Sequence, residues 1–337
     1  MSGSSARPDI RDIAAAAGVS PTTVSHAISG ARPVKESTRE RVLDVARAMG
    51  YVPNRAAIAL RRNRTGVVGF VGDRISSTPH AGRVLLGAQD QARERDTVLM
   101  VVESEADPEL ERQQLQMLLE RGGVDGVIYA RMSHEVVAVP DRLLNVPTVL
   151  VHATDPDRGY SSVVPDERQI GRIALKHLTA LGHREIAMAS TVDDTPARAG
   201  RELEWRRAFD APEAQLVRVP STAVGGREAA AALFSGTEMP TAVFCFNDQI
   251  AMGVYQGAAA RGLRVPDDVS IVGVDDLEII AAGLDPGLTT VALPHFQMGA
   301  WAMSALAAEM DDDKTGRTHA EFPCALVIRD STAPPRR

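Results

Sequence analysis

A chain of 337 residues, 44% hydrophobic and 24% charged, has room for two or three domains with a sizeable core, and no apolar run in it approaches the ~18 residues of a membrane span. Its first thirty residues lack the basic start and apolar stretch of a secretory leader, so a cytoplasmic protein is expected, and Cys245 and Cys324 stand in apolar segments without metal-ligand spacing, as buried free thiols do. The net charge of −7 disfavours nucleic acid only as an average: residues 1–64 hold 11 Lys/Arg against 5 Asp/Glu, a surplus of +6, and the rest of the chain carries −13, the pattern of a DNA reader joined to a separate ligand domain.

In the basic head, Asp9 is placed to N-cap a helix with Ile10, Ile13, Ala14 and Ala17 on one face, with Asp12 as capping partner and Gly18 as its end. Ser20 and Pro21 are the N-cap and first-turn proline of a second helix. Val24, Ala27 and Ile28 have core spacing there, which leaves Thr22, Thr23, Ser25 and His26 outward. Two short helices around a Gly-Val-Ser turn form a helix-turn-helix, whose second helix fits a major groove. A third amphipathic helix is expected over about 37–49, packing Val42, Leu43, Ala46 and Met49 under the pair. After Tyr51-Val52-Pro53-Asn54 comes a short run of helix formers, Ala56 to Leu60, too short to be stable alone, and then Arg61, Arg62 and Arg64.

Residues 9–72 resemble the start of the LacI/GalR family of repressors. The matching runs are Asp12-Ile13-Ala14, Ala17-Gly18-Val19-Ser20, Thr23-Val24-Ser25, Thr38-Arg39-Glu40-Arg41-Val42 and Tyr51-Val52-Pro53-Asn54, followed by Leu60. The resemblance implies a homodimer on approximately palindromic double-stranded operator DNA, with recognition helices in two major grooves and paired hinge helices in the minor groove between them. It places Ser20, Pro21, Thr22, Thr23, Ser25, His26, Thr38, Asn54, Ala57 and Leu60 at the DNA. Leu60 stands where the family has a wedge that unstacks a base step; packing at a domain junction is the other reading of it. His26 departs from the arginine common at its position, and Arg forks to guanine better than His does.

From Thr65 onward short apolar strands alternate with amphipathic helices. Val67–Val71, Val98–Val102, Gly126–Tyr129 and Val149–Val151 read as buried parallel strands, with helices near 79–96, 108–122 and 133–144. A second series has strands at Ile186–Ala189, Leu216–Val219, Ala242–Phe246 and Ser270–Val274, with helices near 167–181, 198–210, 225–235 and 248–262. Each series suits a doubly wound parallel sheet, so two similar lobes are expected, with ligand in the cleft beyond the carboxyl ends of the strands. Asp73, His152, Phe246-Asn247-Asp248 and Asp275 stand at such ends.

The resemblance continues to about residue 332 through Ala180–Ala187, Phe246–Gly253, Pro266–Gly273 and Leu288–Val291. It implies a two-lobed α/β domain like a periplasmic sugar-binding protein, crossing between lobes near 162, 291 and 323. The divisions expected are a helix-turn-helix domain at 1–50, a hinge at 51–64, and an effector-binding and dimerisation domain at 65–332. Its lobe 1 spans 65–162 and 292–322, lobe 2 spans 163–290 and 323–332, and a tail covers 333–337. Arg201 matches the family's effector-binding arginine, and Asn247 and Asp275 match residues that hold ligand hydroxyls; Asp73 and His152 are added from their strand ends. A forked cation, a carboxylate and an amide supply the donor and acceptor set that a sugar-like effector needs. A helix-face salt bridge for Arg201 and a turn or cap for Asp275 are the alternatives. Glu204 replaces the usual glycine, and Ala189-Ser190 a common Gly-Pro. Phosphate-binding Gly loops, nucleophile elbows and metal-ligand clusters are missing from the sequence and its eight histidines look scattered, so no enzyme, catalytic residue, cofactor or metal is expected. A transport-type binding protein would share the body, but not the basic head.

Overall fold

The computed structural model describes residues 8–29, 32–51, 64–208, 215–236, 239–311 and 316–336. It forms two compact units, Met1–Thr65 and Gly66–Arg337. The first is all-α. Helix α1 (Ile10–Ala17) begins in a reciprocal capping box, in which the Asp9 carboxylate accepts from the Arg11 and Asp12 amides and Asp12 accepts from the Asp9 amide. It ends at Gly18, whose φ of 66° is the left-handed geometry that favours glycine. In helix α2 (Pro21–Ser29) the Ser20 hydroxyl accepts from the Thr23 amide at 3.1 Å. Helix α3 (Glu36–Ala48) closes the unit, and Ile13, Ala17, Val24, Ala27, Val42 and Ala46 make its core. Val45 joins that core in place of the expected Leu43 and Met49; Met49, the C-cap of α3, is exposed.

The second unit contains two six-stranded sheets. The first takes the order β11-β5-β4-β3-β1-β2, from β1 (Val67–Gly72), β2 (Val98–Glu103), β3 (Gly126–Val136), β4 (Thr148–Thr154), β5 (Ser161–Pro165) and β11 (His319–Phe322). The second repeats it as β12-β10-β9-β8-β6-β7, from β6 (Ile186–Thr191), β7 (Leu216–Val219), β8 (Ala242–Cys245), β9 (Ser270–Asp275), β10 (Thr289–Ala292) and β12 (Ala325–Val327). All pairings are parallel except β10 with β12. Helices α4 (Ala81–Glu94), α5 (Pro108–Glu120) and α11 (His295–Met310) serve lobe 1. Helices α6 (Glu167–Ala180), α7 (Pro196–Ala208), α8 (Ala223–Leu233), α9 (Asp248–Ala259) and the short α10 (Glu278–Ala281) serve lobe 2. Helices α4 and α11 lie almost backbone to backbone: a Cβ on Gly87 would stand 1.9 Å from the Phe296 carbonyl oxygen, and one on Gly299 2.0 Å from that of Val84.

The chain crosses between lobes after β5, after β10 and between β11 and β12, the first crossing falling past Pro165. The helix expected over 133–144 does not form. Strand β3 instead runs on through Ser133, His134 and Glu135, and after an irregularity pairs Glu135 with Ala153 and Val136 with Thr154. The β-branched Val136-Val137 and then Pro140 oppose a helix there, and only a 3-10 turn follows at Asp141–Leu143. This extension brings His134 to the mouth of lobe 1. The tail is docked: the Ala333 carbonyl accepts from the His183 imidazole at 2.9 Å, and the Ala333 amide donates to the Ser270 hydroxyl.

Candidate functional site

On α2, Pro21 and Thr22 are exposed and Thr23, Ser25 and His26 half-buried, as is Thr38 on α3. The Ser20 hydroxyl is engaged in capping and lies 2.9 Å from that of Thr23. Asn54, Ala57 and Leu60, expected at the hinge, lie outside the described residues.

In the larger unit a cavity of about 840 Å³ opens beyond the carboxyl ends of both sheets, at the points where strand order reverses. All five residues expected there, Asp73, His152, Arg201, Asn247 and Asp275, line it. Asp73 follows β1 and accepts from the Met132 amide at 3.0 Å, so it fixes the path of the β3 extension. Asn247 N-caps α9 through its side-chain oxygen, 2.8 Å from the Ile250 amide. Asp275 ends β9 at a φ of 110°, half-buried in the cavity wall. Burial pushes its pKa up to about 7, and nearby Glu167 adds to the shift while Arg201 opposes it. Asp248 is raised to about 8 by burial and by Asp275, although it accepts from the Thr290 hydroxyl and the Leu277 amide.

Arg201 is in the cavity wall and also in a salt bridge. Its Nε and Nη2 fork onto one carboxylate oxygen of Glu167 at 2.9 and 2.8 Å, Nη1 donates to the Phe246 carbonyl at 2.6 Å, and the guanidinium lies 4.4 Å over the Phe246 ring. The other Glu167 oxygen lies 3.5 Å from His134 Nδ1 of lobe 1, with no hydrogen bond formed between them. Glu204 reaches past this site: its carboxylate lies 2.7 Å from Arg168 and 3.6 Å from both Arg172 and Arg207, and it fits because the neighbour across the helix crossing is Gly171. Ser190 donates to Glu202, whose carboxylate also holds Arg218.

Four of the eight histidines come together in space. His80, His134, His152 and His295 all line this cavity. His80 stacks flat on His295, with centroids 4.3 Å apart and planes 7° apart, and His152 Nε2 lies 3.1 Å from His295 Nδ1. Burial, then the neighbouring imidazoles, lowers the pKa values of His152 and His295 well below the ordinary value, so both are neutral near pH 7. Burial lowers that of His80 as well, against its bond to the Met132 carbonyl. Arg131, Glu111 and Glu167 are the other site residues that the sequence reading passed over. Only the strand-end rule applied to β3 could have found Arg131, and β3 ends later than expected. Among the described residues no group of His, Cys, Asp or Glu is arranged to hold a metal ion, and no helix is long and apolar enough to cross a membrane.

Comparison with known proteins agrees with this geometry. Residues 9–54 match the bacterial regulatory proteins of the lacI family, and residues 175–332 match the periplasmic binding protein-like domain. The chain is 32% identical over 334 residues to the HTH-type transcriptional regulator DegA of Bacillus subtilis (strain 168), covering 96% of this chain and 98% of that one. It is 30% identical over 331 residues to the HTH-type transcriptional repressor PurR of Vibrio campbellii, with 96% and 98% covered. A lac repressor dimer bound to operator and the anti-inducer ONPF shares its fold at a TM-score of 0.82 and 24% identity, over 97% of this chain and all of that one. A complex of the transcriptional regulator CelR with cellobiose gives 0.71 and 28%, over 96% and 100%. These relatives are regulators and not enzymes, and with a helix-turn-helix head and two matched lobes around one cavity the chain belongs to the LacI family of DNA-binding transcriptional regulators.

Proposed function

We propose that the protein is a repressor, acting as a homodimer on an approximately palindromic operator, whose DNA affinity is set by a small sugar-like effector held between its lobes. The observation that carries this reading is the cavity itself. Asp73 and His152 from lobe 1 meet Arg201, Asn247 and Asp275 from lobe 2 around one space, offering cation, carboxylate and amide together. A ligand changes operator affinity only through different affinities for two lobe arrangements, which contacts from both lobes supply. The CelR complex with cellobiose supports a sugar as the class. In the head, α2 enters the major groove with Ser20, Pro21, Thr22, Thr23, Ser25 and His26, aided by Thr38, while Asn54, Ala57 and Leu60 serve the hinge. The protein works in the cytoplasm, on the nucleoid when bound to operator.

The experiment is an electrophoretic shift of the full chain on operator fragments across salt concentrations, repeated with a sugar panel. The +6 surplus of residues 1–64 makes affinity fall steeply with salt, because each neutralised phosphate releases counterions. Binding indifferent to salt, or retained after deletion of residues 1–60, removes the DNA half of the reading. Operator affinity unmoved by every ligand that binds the cleft removes the effector half.

A further inference from the structure

Among the described residues, four buried side-chain polar atoms have no hydrogen-bond partner. Three of them, Arg131 Nη1, His134 Nδ1 and His295 Nε2, belong to residues that line the cleft. A buried polar group left unmet costs about 1–3 kcal/mol, so a protein rarely concentrates such groups in one place without something to meet them. All three stand on the lobe 1 side, two on the β3 extension and one where the chain enters α11. None matches a residue expected from the sequence.

Their neighbours hold them still. Arg131 Nη2 donates to Glu111 at 3.0 Å and to the Tyr129 hydroxyl, and the guanidinium covers the Tyr129 ring at 4.5 Å, which leaves Nη1 an obligate donor in a fixed place. His295 is pinned through Nδ1 by His152 and through its ring face by His80, leaving Nε2. Across the cleft stands the Asp275 carboxyl. A sugar hydroxyl both donates and accepts, and so answers Asp275 and Arg131 alike.

Charge narrows the ligand further. Eight carboxyl side chains and three guanidinium groups line the cavity. Two of those cations are already matched, Arg131 by Glu111 and Arg201 by Glu167, and burial holds His80, His152 and His295 in their neutral forms. A phosphate or carboxylate entering this space meets a surplus of its own sign in a low-dielectric setting, where such repulsion is least screened.

We propose that Arg131, His134 and His295 form the lobe 1 half of the effector site and that, with Asp275 opposite, they select an uncharged sugar over a sugar acid or sugar phosphate. This rests on the reading of the cleft as the seat of a sugar-like effector. The test is titration calorimetry of the full chain with glucose, galactose, ribose and cellobiose, and with glucuronate, galacturonate, glucose 6-phosphate and ribose 5-phosphate. Heat is expected from an uncharged member alone. Arg131→Gln and the ring-preserving His295→Phe each weaken that binding about tenfold or more, as loss of one buried hydrogen bond does. Equal or tighter binding of a charged member overturns the selection. Wild-type affinity in both variants overturns the subsite while leaving the sugar-like effector standing. No heat from any member, with operator binding intact, overturns the sugar reading and this proposal with it.

Discussion

Arg201 shows how one side chain carries two duties and how that complicates the obvious experiment. Its guanidinium lines the cavity and also pairs with buried Glu167, so truncation leaves an uncompensated charge, a change that typically costs about 3–5 kcal/mol. Arg201→Ala is therefore expected to lower the unfolding midpoint of the larger unit as well as abolish effector binding. The double variant Arg201→Met with Glu167→Met removes both charges and should recover most of the stability without recovering the ligand. Both tryptophans, Trp205 and Trp301, belong to this unit, so their fluorescence reads its unfolding directly. A double variant as unstable as Arg201→Ala would place the damage in packing against Phe246 instead of in the stranded charge.

Elements with strong local punctuation are the ones the amino-acid sequence shows plainly. Helix α1 is legible because Asp9, Asp12 and Gly18 each have one physical use at their positions, and the capping box forms as expected. Asp9→Ala is predicted to cost about 1 kcal/mol locally and to speed amide hydrogen exchange in α1, without altering exchange in the larger unit; equal rates in α1 would show that packing alone holds it. The buried strands are legible from their apolar runs, which is why both doubly wound sheets could be anticipated. Short edge strands carry no such signal: β11 has mixed polarity and β12 is only three residues long. Nor does the β3 extension, whose polar Ser133, His134 and Glu135 read as helix surface until the pairing with β4 is seen. The site suffers accordingly: motif position identified Arg201, Asn247 and Asp275, whereas the histidine stack is assembled from three segments far apart in sequence. At the hinge, Leu60→Ala is predicted to weaken operator binding and reduce DNA bending in circular-permutation gel shifts while effector affinity holds. Undiminished bending together with a lower melting point would assign Leu60 to domain packing.

For the molecule as a whole, buried ionisable groups set a pH window. His80, His152, His177, His183 and His295 are held neutral by burial, while in the unfolded chain they take up protons below the ordinary histidine value, so stability is lost as pH falls below about 6.5. Asp275 and Asp248, raised to about 7 and about 8, keep protons in the folded state that the unfolded chain has released, so stability is also lost as pH rises until both have ionised. Urea midpoints from tryptophan fluorescence should therefore peak near neutral pH, and Asp248→Asn should flatten the alkaline side; a midpoint still rising at pH 8.5 would contradict the assignment. The threefold crossing between lobes also bears on biosynthesis. The helical head has its whole core within the first 51 residues, so it can fold early on the ribosome. Lobe 1 cannot, because Met298, Ala302, Met303 and Leu306 of α11 fill its core and β11 closes its sheet only at Phe322. A chain cut short after the head and before that point would carry a folded helix-turn-helix but neither a finished sensor nor a finished dimerisation domain, so late nonsense mutations in this gene are expected to cost operator binding as well as the response to a signal.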